Sequence, residues 1–276
     1  MACCPAGAAP YLAADHVDEG QVGEVEGVQY YSSGSGDCGL LFLPDIWGWN
    51  GGRIRALADD FAKKGFSVWV PKLLVPFEEG TDGDGLPPVF SLAERGAILG
   101  PLFNGDWKAA NVLPHVQKVV SAMKASGVKK FAVAGFCYGA WVGMYLARTM
   151  SADELVCCVT PHPSITIEGM VGGDPCALAS ESCCPWAMYP CGDPAAGGDK
   201  ETYDREGDLF KALDTKFPGK IETKRFGKMQ HGFVLRGAIK EGQLGVGGDD
   251  VKAAIQECVE DMAQFFEKHG LTPAKL

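Results

Sequence analysis

The chain has 276 residues, of which 46% are hydrophobic and 22% charged, enough for one large α/β domain or two small ones with a sizeable core. Its net charge of −10 argues against nucleic acid and anionic membrane surfaces as partners. No apolar run reaches the roughly 18 residues of a spanning helix, and the segment from Met1 to Pro10 lacks a basic stretch followed by a sustained apolar one, so the chain reads as cytosolic.

Residues 1–21 form an N-terminal extension of Gly, Pro, Ala and scattered acids, expected to wrap the surface, ahead of a single domain over 22–276. Val22 to Tyr31 predicts an edge strand or hairpin, and Cys38 to Leu43 a strand buried on both faces. That run ends at Pro44-Asp45-Ile46-Trp47-Gly48. A helix follows over 52–64 with Ile54, Leu57, Ala58 and Phe61 on one face, then a strand over 66–70. Residues 71–106 are too long for a simple crossover and predict a partly helical excursion near the site. A helix over 106–126 leads into the apolar run from Phe131 to Gly135. Further strands are expected over 155–160, 186–191 and 221–226, with helices over 203–216 and 250–269 and a Gly-rich loop over 237–249. Strands alternating with helices predict a mostly parallel, doubly wound sheet with helices on both faces.

Gly135-Phe136-Cys137-Tyr138-Gly139 joins a buried strand directly to a helical pattern. Only a very tight turn fits there, which the glycines permit. This is the strand–turn–helix nucleophile elbow with cysteine in place of serine. Asp193 and His231 also follow apolar strand segments, and strand ends are where sites assemble in such sheets. The order of nucleophile, acid and histidine is that of the α/β-hydrolase triad. His231 would take the thiol proton, Asp193 would fix its tautomer, and backbone N–H groups of Ile46 and Tyr138 would form the oxyanion pair. Asp199 is a rival acid, six residues further into a glycine loop.

Gly135-Phe-Cys-Tyr-Gly139, Gly192-Asp-Pro194, Gln230-His-Gly-Phe233 and Pro44-Asp-Ile-Trp-Gly48 resemble the motifs of the dienelactone hydrolase family, over roughly residues 22–268. The resemblance implies an α/β-hydrolase fold without a separate cap domain and a cysteine nucleophile that opens enol lactones or cleaves related esters, with no cofactor. It also implies an auxiliary carboxylate contacting the resting cysteine, here Asp45, which is shorter than the family's glutamate. The family's substrate arginine falls four residues after the histidine. Here Leu235 holds that position, with Arg236 one step on.

Trp47, Arg236 and His162 are the candidate substrate contacts, although a histidine just after a strand, as His162 is, also suits a structural role. The partner expected is a small lactone or ester, and the assembly a monomer or small homo-oligomer. Two other readings compete: a catalytically silent binding protein on the same fold, and a thiol-redox or metal-binding protein. Eleven cysteines, six of them in the three adjacent pairs 3/4, 157/158 and 183/184 and none in a C-x-x-C, give no zinc knuckle. Cys176, Cys183, Cys184 and Cys191 are the one grouping to weigh for metal or a disulfide, and no metal site is assigned.

Overall fold

Apolar strands that bury both faces need a layer of helices on each side, and the chain supplies them. The computed structural model describes residues 5, 8–240 and 249–273. Strands β1 (Gln21–Val25) and β2 (Val28–Ser33) pair antiparallel through Glu26 and Gly27, both at positive φ, so the first predicted segment is a hairpin. Next come β3 (Cys38–Leu43), α1 (Ile54–Ala62), β4 (Ser67–Pro71), α2 (Arg95–Asn104) and α3 (Ala109–Ala125). β5 (Lys130–Gly135) runs into α4 (Tyr138–Thr149), and β6 (Leu155–Pro161) into the short α5 (Ile167–Met170) and α6 (Pro175–Ser180). β7 (Trp186–Tyr189), α7 (Asp208–Lys216), β8 (Glu222–Thr223), α8 (Phe233–Arg236) and α9 (Asp249–Lys268) complete the order.

The eight strands make one sheet, β1-β2-β4-β3-β5-β6-β7-β8, antiparallel as far as β4 and parallel beyond it. The two-residue period of a strand splits the core. Leu40 and Phe42 of β3 join Phe61 of α1 and Phe266 of α9 on one face, while Leu41 and Leu43 join Val116 of α3 and Trp141 of α4 on the other. Among the described residues, no helix is long and apolar enough to cross a membrane.

Departures from the sequence reading lie at the sheet edge and in the connections. β7 stops at Tyr189 because Pro190 has no N–H for the ladder, and Cys191 bridges singly to Phe226. The strand expected over 221–226 shrinks to Glu222–Thr223, and the expected 203–216 helix starts only at Asp208. The excursion over 71–106 contains α2, as expected. It is tied to the loop after β3 by the buried Asp84 carboxylate, which accepts the N–H of Trp49 at 2.8 Å and of Leu74 at 2.5 Å. Most of the loop expected over 237–249 lies outside the described residues.

Candidate active site

β5 ends at Gly135 and α4 begins at Tyr138, so Phe136 and Cys137 alone reverse the chain. Cys137 takes φ 51 and ψ −113, a strained backbone for a residue with a Cβ. A Cβ on Gly139 would lie 2.1 Å from the Leu43 oxygen, and one on Gly135 2.7 Å from the Gly139 oxygen. Both glycines are therefore required by how closely β3, β5 and α4 approach. The N-terminal field of α4 falls directly on the turn that carries Cys137. The side chain is fully buried, and its Sγ accepts the Ser164 hydroxyl at 3.4 Å.

His231 Nδ1 stands 2.6 Å from Oδ1 of Asp199, with both side chains buried. Its Nε2 has no well-aligned hydrogen bond, yet Cys137 acts on the ring through charge and as a side-chain partner. Thiol and imidazole are in electrostatic contact without an aligned bond. Burial disfavours the imidazolium, but Asp199 and then Cys137 outweigh it and hold His231 well above the usual histidine range.

The carboxylate on His231 is that of Asp199, whereas Asp193, the acid expected from the sequence, is engaged in its own turn. Asp193 is exposed, and its carboxylate caps the 3-10 turn Pro194–Ala196 by accepting the Ala195 N–H at 2.9 Å. The chain loops out over 193–198 and returns to the end of β7. There the Asp199 N–H donates to the Cys191 oxygen, and the Cys191 N–H donates to Asp199 Oδ2, both at 2.8 Å. Arg225 clamps this loop, donating to the oxygens of Gly192 at 2.8 Å and Asp199 at 3.1 Å while pairing with Asp204. Arg225 is a positioning residue that no motif marked.

Asp45 is also fully buried, its Oδ1 accepting the Trp47 N–H at 2.9 Å and its Oδ2 paired with the Arg236 guanidinium. Burial pushes its carboxyl up, against the pull of Arg236, and the charges of Cys137 and His231 both reach it. Arg236 lies over the Trp47 ring, with Cζ 4.4 Å from the centroid. Gly232, at φ 91, starts the single turn of α8. That turn buries Leu235 in the α1/α9 layer and directs Arg236 into the site. Arg236 Nη2 and Trp47 Nε1 are buried without partners. Arg95, at the start of α2, donates to the Leu92 oxygen.

The N-terminal extension is part of this site. The Ala9 N–H donates to the His231 oxygen at 2.8 Å, Arg236 Nε donates to the Ala9 oxygen at 3.1 Å, and the Gly52 N–H donates to the Leu12 oxygen at 3.0 Å. The Tyr11 ring lies 6.2 Å from that of Trp47. Composition had suggested only that this segment wraps the surface.

Ile46 and Tyr138 occupy neighbouring backbone, because Leu43 pairs with Gly135 across β3 and β5. The Leu86 N–H fixes the Ile46 carbonyl at 2.8 Å, and the Tyr138 hydroxyl donates to the Trp107 oxygen at 2.7 Å. His162 is fully buried at φ 42, with its ring centroid 5.1 Å from that of His231 and neither ring nitrogen partnered. Burial and the His231 charge push its pKa well below the ordinary range, so it is neutral.

Among the described residues, the grouping of cysteines weighed from the sequence does not come together at one place. Cys176, Cys183 and Cys184 lie with the α3/α4 layer, but Cys191 lies on the opposite face of the sheet, which separates the grouping weighed from the sequence. Cys158 and Cys184 are free thiols with sulfurs 3.6 Å apart. Among the described residues, the one three-ligand grouping is His16, Glu19 and Asp59. It fastens the extension to α1 through a 2.6 Å His16–Asp59 contact. Cys3 and Cys4 lie outside the described residues.

A sequence profile of the dienelactone hydrolase family matches residues 25–270. A curated protein named hydrolase tropI, from Talaromyces stipitatus, is 24% identical over 97% of this chain and 100% of its own length. Hydrolase pyvD of Aspergillus violaceofuscus is 23% identical over 76% of this chain and 75% of its own length. Among solved structures, a dienelactone hydrolase-like promiscuous phosphotriesterase from metagenomic libraries superposes with a TM-score of 0.58 at 20% identity, covering 95% of this chain and 99% of the other. An esterase from Pyrococcus furiosus gives 0.56 at 12% identity, with 95% and 99% coverage. At these identities the structural likeness carries the α/β-hydrolase fold alone.

Proposed function

Because the chain belongs to the dienelactone hydrolase family and is a hydrolase, we propose that it opens small lactones or cleaves small carboxylic esters through Cys137, His231 and Asp199. The observation that carries this reading is the continuous buried line from Asp199 through His231 to a strained cysteine at the mouth of the parallel strands.

In this reading the thiol proton passes to His231 Nε2 and the Cys137 sulfur attacks the substrate carbonyl. The oxyanion is received by the backbone N–H groups of Ile46 and Tyr138, which cost no reorganisation because the loop and helix are already fixed. Collapse breaks the ester C–O bond, leaves a thioester on Cys137, and the departing oxygen takes the proton from His231. His231 then removes a proton from water, which attacks the thioester. The acid leaves and the thiol is restored. Asp199 keeps the imidazole in the tautomer with Nδ1 protonated and stabilises the cation formed in each half.

Asp45 is read as the auxiliary carboxylate beside the resting cysteine. The Arg236 Nη2 and Trp47 Nε1 atoms without partners suit a carboxylate on the substrate. Hydrolysis of 4-nitrophenyl acetate, with and without iodoacetamide, tests the assignment. Cys137→Ala should abolish turnover, and wild-type turnover in that variant would end the reading.

A further inference from the structure

His162 is a costly residue for a core. It holds a positive φ of 42, which strains any side chain with a Cβ. It is fully buried, and neither ring nitrogen has a partner. Phe136 and Phe233 pack on its ring at centroid distances of 6.0 and 6.3 Å, surroundings that a third aromatic ring would fill with no polar atom to satisfy. Its third ring neighbour is His231, at 5.1 Å, and the charges of Cys137, His231 and Arg236 all reach it. The polar atoms of His162 are thus kept, without protein partners, beside the imidazole of His231.

The partner these atoms would take follows from their chemistry. The ring is neutral, so it offers one N–H donor and one lone pair. A carboxylate accepts only, and Arg236 already offers a cation with an unpartnered Nη2. A hydroxyl both donates and accepts, and its recognition by a neutral donor–acceptor group adds no charge to a site already holding Arg236 and His231. We propose that His162 is a specificity-determining residue that hydrogen-bonds a substrate hydroxyl, so that the preferred substrates are hydroxy-substituted lactones or esters of carboxylate-bearing acids. This rests on reading the Cys137 centre as an ester- and lactone-cleaving site.

The test uses ligands that cannot react. Calorimetric affinities of the whole protein for benzoate and for 2-, 3- and 4-hydroxybenzoate measure the hydroxyl's contribution apart from any chemistry. At least one hydroxybenzoate should bind tenfold or more tightly than benzoate. His162→Phe should collapse that ratio to near one, and His162→Asn, which keeps a donor and an acceptor, should retain part of it. If the Phe variant does not fold, His162→Gly suits the positive φ, removes the ring, and should collapse the ratio in the same way. Equal affinities for all four acids in the wild type, no binding of any of them, or a preference that survives loss of the ring would each overturn the proposal. Ester cleavage in the unmodified protein reports separately on the Cys137 reading, so failure of one is not failure of the other.

Discussion

Asp199→Asn separates the two candidate acids and has a consequence that follows from hydrogen-bond polarity. Asp199 uses both oxygens: Oδ1 faces His231 Nδ1 at 2.6 Å and Oδ2 accepts the Cys191 N–H at 2.8 Å. An amide has a single oxygen. Kept on the Cys191 N–H, it turns its NH₂ toward Nδ1, which must then accept. The imidazole proton moves to Nε2, the atom that should receive the thiol proton. In a serine triad the corresponding change costs about 10⁴ in turnover. Cysteine is intrinsically more acidic and leans less on its base, so a loss of about 10²–10³ in kcat is expected here.

The same substitution has a signature in stability. Asp199 helps to hold the folded-state pKa of His231 above its ordinary 6.5. That contribution to stability is complete below the unfolded pKa and fades as pH rises through the folded value. Wild-type melting temperature should therefore fall from neutral into alkaline pH, and Asp199→Asn should flatten that fall. At neutral pH the variant should lose about 1–3 kcal/mol, the scale of a compromised buried hydrogen bond. Asp193→Asn is the control: the residue is exposed and caps a turn, asparagine caps equally well, and both kcat and melting temperature should stay close to wild type. Steady-state ester hydrolysis and calorimetry at two pH values measure all of this. Large loss at 193 with none at 199 would refute the assignment.

Iodoacetamide at neutral pH should alkylate Cys137 first among the nine described cysteines, with activity lost in step. The other eight thiols are pushed up, Cys183 mainly by Cys184 and the rest mainly by burial; full inactivation with Cys137 unlabelled in peptide mapping would sink the expectation. Arg236→Met should destabilise by about 3–5 kcal/mol in denaturant titration, because it strands the buried Asp45 carboxyl, and adding Asp45→Asn should recover part of that. Were the double variant the worse of the two, the pair would not be coupled. Ala9→Pro removes the N–H that donates to the His231 oxygen and should lower kcat several-fold, with about 1–3 kcal/mol of stability; unchanged kinetics would show that the extension does not support the site.

The elbow was legible because everything it needs is local: an apolar run, a two-residue turn and two glycines that no side chain could replace. His231 was legible for the same reason, since it follows a strand segment within a short motif. Asp199 was not. The rule that the acid leaves a strand end holds in space, but the chain departs over 193–198 and comes back, and only the paired hydrogen bonds to Cys191 reveal which carboxylate finishes there. Arg236 escaped a count of four from the histidine because helical phase, not spacing, decides direction: one turn of α8 sends Leu235 to the core and Arg236 to the site. Arg225 and the 8–12 segment contact the site through backbone carbonyls and N–H groups, which any sequence possesses, so neither left a pattern to find.

Unfilled hydrogen-bonding capacity gathers around residues that the sequence also marked. Among the described residues, eight buried side-chain nitrogen and oxygen atoms have no hydrogen-bond partner, and five belong to Trp47, His162, His231 and Arg236. Two of the strained non-glycine positions, Cys137 and His162, lie in the same place. Folding alone would select against each feature, since apolar residues at relaxed φ would remove both penalties. Penalties scattered through the core would be incidental. Gathered around one thiol–imidazole pair, they are what the proposed reading requires of groups whose partners arrive from outside, and on that reading a substrate that left Trp47, His162 and Arg236 unsatisfied would bind poorly.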